Sequence, residues 1–248
     1  MKKKVFLFTV SVVFMMIPLN VFGALSIAQG KKYALVIGNN NYVRFPQLSG
    51  AGKDAAAVAE GLKKIDFEVT LLTDVTAAQM DSAIDAFAAQ LRGSPDNQGF
   101  FWFSGIGVQM DHTMYLRGID ADISVDRQRT GVVSIGRVFE AMSAARNTMN
   151  VVIVDTQFNP ADKETAVSLE AALLEKLAGN IGYIRSTSPG EISADNSPFI
   201  GPVMKYLSAP AAMALTFQAI TRETAAASGN KQRPLFYTAQ KTPNRMSR

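Results

Sequence analysis

"FFWFSGIGVQ", residues 100–109, opens with four aromatic side chains and continues into small residues around two glycines. An unbroken apolar run bounded by glycine is typical of a strand that a parallel sheet buries on both faces. The pattern predicts that this strand ends in a glycine-flanked turn, with Ile106 between Gly105 and Gly107. The carboxyl ends of such strands are where α/β proteins bind ligands. An isoleucine there can neither accept nor donate a proton, and its position needs an explanation.

Short apolar runs and amphipathic segments alternate on both sides of this stretch. We predict further strands over residues 33–38, 67–73, 150–155, 180–187 and 234–238. Helices are predicted where the spacing is helical: 53–65, 76–93, 134–145, 168–179, 197–209 and 211–227. Buried strands separated by helices indicate one α/β domain, with a mainly parallel sheet covered on both faces.

Local signals add detail to this outline. Residues 108–118 predict a hairpin that turns around Asp111 and His112, and Thr76 is the predicted N-cap of its helix. In open parallel sheets, ligands bind outside the carboxyl ends of the strands. We therefore expect one functional rim, built from the segments that follow the strands: 38–41, 104–107, 155–157 and 186–188.

The first residues of the chain have the features of a secretory signal peptide. Lys2, Lys3 and Lys4 precede an apolar run over 5–22, and small residues suit a cleavage site after Gly23. We predict a signal peptide over 1–23, a short N-terminal segment over 24–31, and a periplasmic or secreted mature protein. The alternative is an uncleaved membrane anchor, because the apolar run nearly reaches the length of a membrane span.

Composition excludes several classes of site. The chain contains no cysteine and one histidine, which argues against disulfides, thiolate nucleophiles and most zinc sites. Its net charge of +4 falls to about +1 without the three N-terminal lysines, so no basic surface for nucleic acid is expected. We expect no cofactor and no metal ion.

Five segments in the same order resemble the caspase and metacaspase superfamily, specifically bacterial caspase-like domains of the peptidase C14 type. They are "YALVIGNNNY" (33–42), "LSGAGKDAAAVAEGLKKIDFEVTLL" (48–72), "FFWFSGIGVQMDHTMYLRGIDAD" (100–122), "NVVIVDTQFNP" (150–160) and "RSTSPGEISADNSPFIGPVMKYL" (185–207). The resemblance implies a three-layer αβα sandwich of the caspase-hemoglobinase type. Its mainly parallel sheet has six strands, one of them an antiparallel edge strand. The domain would occupy 32–238, followed by a frayed tail over 239–248.

The resemblance also locates the catalytic positions of the family, which uses a cysteine nucleophile and a histidine base. The histidine of its small-Gly-His-Gly segment corresponds to Ile106, and the cysteine of its Asp-x-Cys segment corresponds to Gln157. Neither side chain performs that chemistry. The sequence thus predicts a catalytically inactive member of the family.

Other parts of the family's substrate groove have matching polar residues. In metacaspase-like members two acids hold a basic side chain before the cleaved bond, and they correspond to Asp54 and Asp155. Two carboxylates can bind a guanidinium through charge-assisted hydrogen bonds. We also assign Ser188, Ile192, Ser193 and Asp195 to the peptide-binding groove, because residues 192–195 could pair with an extended peptide. Asp155 could instead cap a strand end, and Asp54 could serve the dipole of its helix.

Three functions remain open from the sequence. The favoured prediction is a secreted pseudopeptidase that binds a peptide or protein, with an Arg or Lys side chain in the groove, and does not cleave it. The first alternative is a structural or assembly protein of the cell envelope with an unused groove. The second is a hydrolase with unusual chemistry at Thr156 or Ser104, although Thr156 should point away from Asp155 and Gln157 if the strand continues.

Overall fold

Eight strands and five helices form the fold in this computed structural model, which describes residues 30–110, 113–122, 130–147, 149–157, 180–188, 197–207 and 213–238. The strands are β1 (Lys32–Gly38), β2 (Phe67–Thr73), β3 (Gln98–Met110), β4 (Thr113–Arg117), β5 (Val132–Ser134), β6 (Met149–Gln157), β7 (Ile181–Arg185) and β8 (Leu235–Thr238). The helices are α1 (Ala51–Lys63), α2 (Ala77–Leu91), α3 (Ile135–Ala144), α4 (Ile200–Tyr206) and α5 (Met213–Ala227). The helix predicted over 168–179 lies outside the described residues.

The main sheet has the strand order β2-β1-β3-β6-β7-β8. The first five of these strands run parallel, and β8 pairs antiparallel with β7 at the edge. The six-stranded, mainly parallel sheet with one antiparallel edge strand is thus confirmed. The helices α1 and α2 lie in the connections from β1 to β2 and from β2 to β3, because strands that run parallel need a long crossover over a face of the sheet.

Helices cover both faces of the sheet, as the uninterrupted apolar strands required. On one face, α2 and α3 pack on a core that includes Leu35, Phe101 and Val152. On the other, α1, α4 and α5 pack on a core that includes Val36, Trp102 and Ile153. We call these the α2 face and the α1 face. The predicted three-layer αβα sandwich is confirmed.

The aromatic run that opens β3 divides its side chains between these two cores. Phe101 and Phe103 belong to the α2 face, whereas Phe100 and Trp102 belong to the α1 face. The indole of Trp102 is fully buried and stacks on the ring of Phe199, with centroids 6.3 Å apart. Alternate residues of a strand point to opposite faces, which explains why the whole run is apolar.

The expected turn at the glycines of β3 is wrong, since the strand continues without interruption to Met110. β3 changes its partner there: it pairs with β1 as far as Ser104 and with β4 from Gly107 onward. Glycine is required for packing, because a Cβ atom on Gly105 would lie 2.4 Å from the Tyr42 hydroxyl. The glycines therefore let a neighbouring side chain approach the strand instead of turning the chain.

The predicted hairpin after β3 is present, with Met110 paired to Thr113 across the residues 111–112, which lie outside the described part. β5 extends this antiparallel ribbon by pairing with β4. The sequence did not predict β5, because three residues are too few to show a periodic pattern. Among the described residues, no helix is both long and apolar enough to cross a membrane.

Candidate functional site

Ile106 and Gln157 are direct neighbours at the rim of the sheet. The parallel register between β3 and β6 pairs these two residues, at the carboxyl end of both strands. Ile106 lies two positions after Ser104, and Gln157 lies four positions after Ile153. Because alternate residues of a strand share a face, both side chains lie on the α1 face. Both residues are half-buried. The structure thus brings together the two positions that the resemblance assigns to the catalytic pair.

A row of polar side chains lies next to them on the same face, nearer to the centre of the sheet. Two of its members come two residues before Ile106 and Gln157 in the same strands. Ser104 and Asp155 are paired in the register of β3 and β6, and both are buried, Asp155 being 6% exposed. The ladder continues to the next strand, since the Ser186 amide donates to the Val154 carbonyl at 2.9 Å. This places Ser186 beside Asp155. We call Ser104, Asp155 and Ser186 the polar row.

The hydroxyl of Ser186 has no hydrogen-bond partner among the described residues, although the residue is only 1% exposed. The backbone of Ser186 is held firmly, because the Gln232 amide nitrogen donates to its carbonyl at 3.0 Å. Gln232 also donates to the Ser197 hydroxyl at 2.7 Å, which links the rim to the start of α4. Buried polar groups in folded proteins usually have a hydrogen-bond partner. Ser186 lies in the predicted rim segment 186–188, but no sequence pattern indicated a role for it.

Asp54 lies in the first turn of α1, half-buried, on the helix that covers this face. The helix start lies close to the end of β1, since a Cβ atom on Gly38 would lie 2.6 Å from both the Ala51 carbonyl and the Ala55 Cβ. In the sheet, Gly38 is the neighbour of Ser104. The first turn of α1 and the polar row therefore lie at the same end of the same face.

Tyr42 supports the backbone at Ile106. The Ile106 amide donates to the Tyr42 hydroxyl at 2.7 Å, and this hydroxyl lies 3.5 Å from the Arg117 carbonyl. Burial raises the pKa of the phenol well above its ordinary value, more than the hydrogen bond from Ile106 lowers it. Tyr42 is therefore a neutral hydroxyl at physiological pH, where it accepts one bond from β3 and donates toward β4.

The loop after β1 is fixed by an asparagine and an aspartate. The amide of Asn39, which is fully buried, donates to the carbonyls of Val75 and Arg117 and accepts from the Val75 amide. Asp74 accepts from the backbone amides of Asn40 and Asn41 at 2.8 and 2.9 Å. These contacts join the ends of β1, β2 and β4. Hydrogen bonds between the ends of several strands therefore fix the position of the rim.

Arg117 is a further rim residue that the sequence did not identify. It is 5% exposed, and its guanidinium carbon lies 4.0 Å from the centroid of the Phe45 ring. Such a cation–π contact fixes the orientation of the planar guanidinium. The contact joins β4 to the loop after β1, and 72 positions of sequence separate the two residues, so no local pattern indicated it.

The hydroxyl of Thr156 is placed away from the paired positions. β6 continues to Gln157, so that Thr156 alternates to the α2 face, as expected. It is 1% exposed, and a Cβ atom on Gly107 would lie 3.1 Å from the Thr156 Cβ. Thr156 is packed behind β3. It cannot reach a substrate that lies over Ile106 and Gln157.

The remaining predicted groove residues are only partly described. The hydroxyl of Ser188 donates to the Arg233 carbonyl at 2.8 Å, which ties the end of the rim to the segment before β8. Ile192, Ser193 and Asp195 lie outside the described residues, and so does His112 of the predicted hairpin turn. Within the described ranges, no three His, Cys, Asp or Glu side chains are grouped so that they could hold a metal ion.

The fold is shared with known structures. A crystal structure of a Geobacter sulfurreducens protein superimposes on 86% of this chain and 95% of its own, with a TM-score of 0.59 and 17% sequence identity. The human mucosa-associated lymphoid tissue lymphoma translocation protein 1 is 25% identical over 159 residues, and its mouse homologue is 24% identical. These segments cover 64% of this chain but only 19% and 18% of the two relatives, so the chain spans less than a fifth of their length.

The match to a family profile is more extensive. The profile described as the caspase domain of peptidase C14 matches residues 31–244. This range runs from β1 to β8 and includes β3 and β6, whose register places Ile106 beside Gln157. The chain belongs to the caspase domain family of peptidases.

Proposed function

We propose that this protein is a caspase-domain pseudopeptidase that binds a peptide or protein without cleaving it. The observation that carries the proposal is the pairing of Ile106 with Gln157 at the carboxyl ends of β3 and β6. An isoleucine cannot move a proton, and a glutamine amide is not a nucleophile. The 248 residues contain no cysteine that could act from another position.

We propose that the groove next to this pair accepts an arginine or lysine side chain. Asp155 is buried in the polar row, and Asp54 lies at the start of the helix on the same face. A guanidinium that enters here would meet carboxylates and also the Ser186 hydroxyl, which has no other hydrogen-bond partner in the described ranges. Charge-assisted hydrogen bonds to a planar guanidinium favour arginine over lysine.

The expected location follows from the N-terminal segment. Three lysines followed by an apolar run over 5–22 support export, with cleavage after Gly23. We propose that the mature protein acts in the periplasm or outside the cell. Expression of the complete chain, followed by N-terminal sequencing of the exported product, tests this directly. A product that begins at Met1 and sediments with membranes would instead support an uncleaved anchor.

A cleavage assay tests the catalytic part of the proposal. The mature chain and the double variant Ile106→His/Gln157→Cys are incubated with a diverse peptide library, in the presence of Ca²⁺. We expect no cleavage by the natural chain, and cleavage after basic residues by the double variant. Gln157→Cys and Ile106→His alone serve as controls, because each lacks one member of the pair. Cleavage by the natural chain, lost when Asp155 is changed, would refute the proposal.

A binding assay tests the groove separately. Peptides that differ only in arginine or its neutral analogue citrulline are titrated against the natural chain, Asp155→Asn, Asp54→Asn and the control Asp96→Asn. Asp96 is exposed near the start of β3, at the opposite end of the strand from the rim. We expect the arginine peptide to bind tightest and the two rim variants to lose that preference. Equal binding of both peptides to the natural chain would favour the structural alternative with an unused groove.

A further inference from the structure

A cavity lies at the opposite end of the sheet from the rim. It has a volume of about 370 Å³, within the range of small-molecule sites. Its walls come from the amino ends of β1, β3 and β6, from the end of α1, and from α4 and α5. It is therefore on the α1 face but separated from Ile106 by the length of β3.

The lining of this cavity is apolar. Aromatic and aliphatic side chains from the sheet and the helices face it, including Leu62, Phe100, Val151, Phe217 and Ile220. Val151 is half-buried although it lies on a central strand, because α4 and α5 do not close over it. A cavity of this kind gains free energy when an alkyl chain replaces water in it.

The described part of the cavity lining carries one charged side chain. Among the described residues that line the cavity, Lys32 is the only charged one, and no carboxylate accompanies it. Its ammonium donates to the Ile65 carbonyl at 3.0 Å and lies 5.8 Å from the centroid of the Phe67 ring. An ammonium has three donors, so a ligand can use the others. The ligand that fits an apolar cavity with one fixed cation is an amphiphile with an anionic head.

We propose that this cavity binds a linear aliphatic carboxylate, a medium-chain fatty acid, with its carboxylate at Lys32 and its alkyl chain between the sheet and α5. The neighbouring lysine supplies a matched control. Lys31 forms an ion pair with Glu68 at 3.0 Å, its side chain is 64% exposed, and it does not line the cavity. This inference is independent of the proposed function, because the two sites share no residue.

Calorimetric titration of the purified chain with decanoate, octanoate and hexanoate, all below their micellar concentrations, tests the proposal. Each additional methylene should raise the affinity roughly fourfold, since its burial contributes about 0.8 kcal/mol. Lys32→Gln should weaken decanoate binding roughly fivefold and leave decanol binding unchanged. Lys31→Gln should bind both ligands as the natural chain does.

A variant that fills the cavity with a larger side chain locates the binding site. Val151→Phe should abolish decanoate binding, and Thr216→Phe serves the same purpose if the first variant does not fold. Absence of decanoate binding by the natural chain would overturn the proposal, and so would an equal loss in Lys31→Gln and Lys32→Gln. If another segment of the chain or a second copy already covers the cavity, the natural chain will not bind decanoate. An arginine-peptide preference that survives in Val151→Phe would show that the rim acts independently.

Discussion

Tyr42 connects the loop after β1 to the rim by a hydrogen bond. It is 3% exposed, and its hydroxyl accepts a hydrogen bond from the Ile106 amide, which lies 64 positions further along the chain. Such a long separation explains why the sequence did not indicate its role, since propensity and periodicity describe only neighbouring residues. The sequence did identify Ile106 and Gln157 through the family motifs. The register that makes them neighbours became known only from the structure.

We expect Tyr42→Phe to lower the free energy of unfolding by about 1–2 kcal/mol. The phenylalanine fills the same space but offers no acceptor to the Ile106 amide and no donor toward the Arg117 carbonyl. Urea denaturation at neutral pH measures the difference. A variant as stable as the natural chain would show that water replaces the hydroxyl at this position.

Because Tyr42 is buried, we expect the free energy of unfolding to fall at high pH. Burial holds the pKa of Tyr42 in the folded chain above its ordinary value of 10.0, which applies to the unfolded chain. Below about pH 10 both states keep the proton and the stabilisation is fully present. As the pH rises further, only the unfolded state ionises, and this residue costs about 1.4 kcal/mol of stability per pH unit.

Urea denaturation at about pH 9 and about pH 11 checks this prediction, with Tyr42→Phe as the control that lacks the titrating group. The natural chain should lose more stability between the two pH values than the variant does. A variant with an equal or larger loss would assign the effect to other residues.

At the scale of secondary structure, α2 has the clearest start signal in the chain. The sequence predicted Thr76 as N-cap, and the structure has a complete capping box between Thr76 and Gln79. The strands were predicted for a similar reason, because short apolar runs bounded by turn residues are local signals. The glycines of β3 gave a misleading signal. Their role depends on Tyr42 and Thr156, which come from other elements.

Thr76→Ala should destabilise the chain by about 1 kcal/mol. The threonine hydroxyl accepts from the Gln79 amide at 3.2 Å, and alanine leaves this amide without its side-chain acceptor, whereas the Ala77 amide keeps its bond to the Asp120 carboxylate. Ser82→Ala is the control, because Ser82 lies inside the same helix, is exposed and bonds only to the Ala78 carbonyl among the described residues. Thermal denaturation of both variants checks the prediction. Similar losses for the two would mean that the capping contact contributes nothing specific.

At the scale of the whole molecule, stability should be highest in the middle of the sheet and lowest at its edges. β1, β3 and β6 have neighbours on both sides and helices on both faces. β8 is an edge strand in which every residue is half-buried, and β5 is a short end strand. The sequence predicted this layering and the hairpin of β3 and β4, but it did not indicate β5, which extends the ribbon beyond the main sheet.

Hydrogen exchange followed by mass spectrometry tests this order. Amides over 35–37, 101–103 and 152–154 should exchange most slowly, because they open only with global unfolding. Amides over 132–134 and 235–238 should exchange through local opening, at lower free energy. Protection of 235–238 equal to that of the centre would indicate that another surface covers this edge in solution.

Trp102 is the only tryptophan in the chain, so fluorescence excited at wavelengths that tyrosine does not absorb reports on this one indole. Its indole is stacked on Phe199 in the core of the α1 face, two positions from Ser104 in the rim and two from Phe100 in the cavity. The emission maximum should therefore lie at short wavelength in the folded chain and shift to the red on unfolding. A basic peptide and decanoate would each perturb this one emitter from opposite ends of the same strand. Asp155→Asn should remove the first spectral change, and Val151→Phe should remove the second.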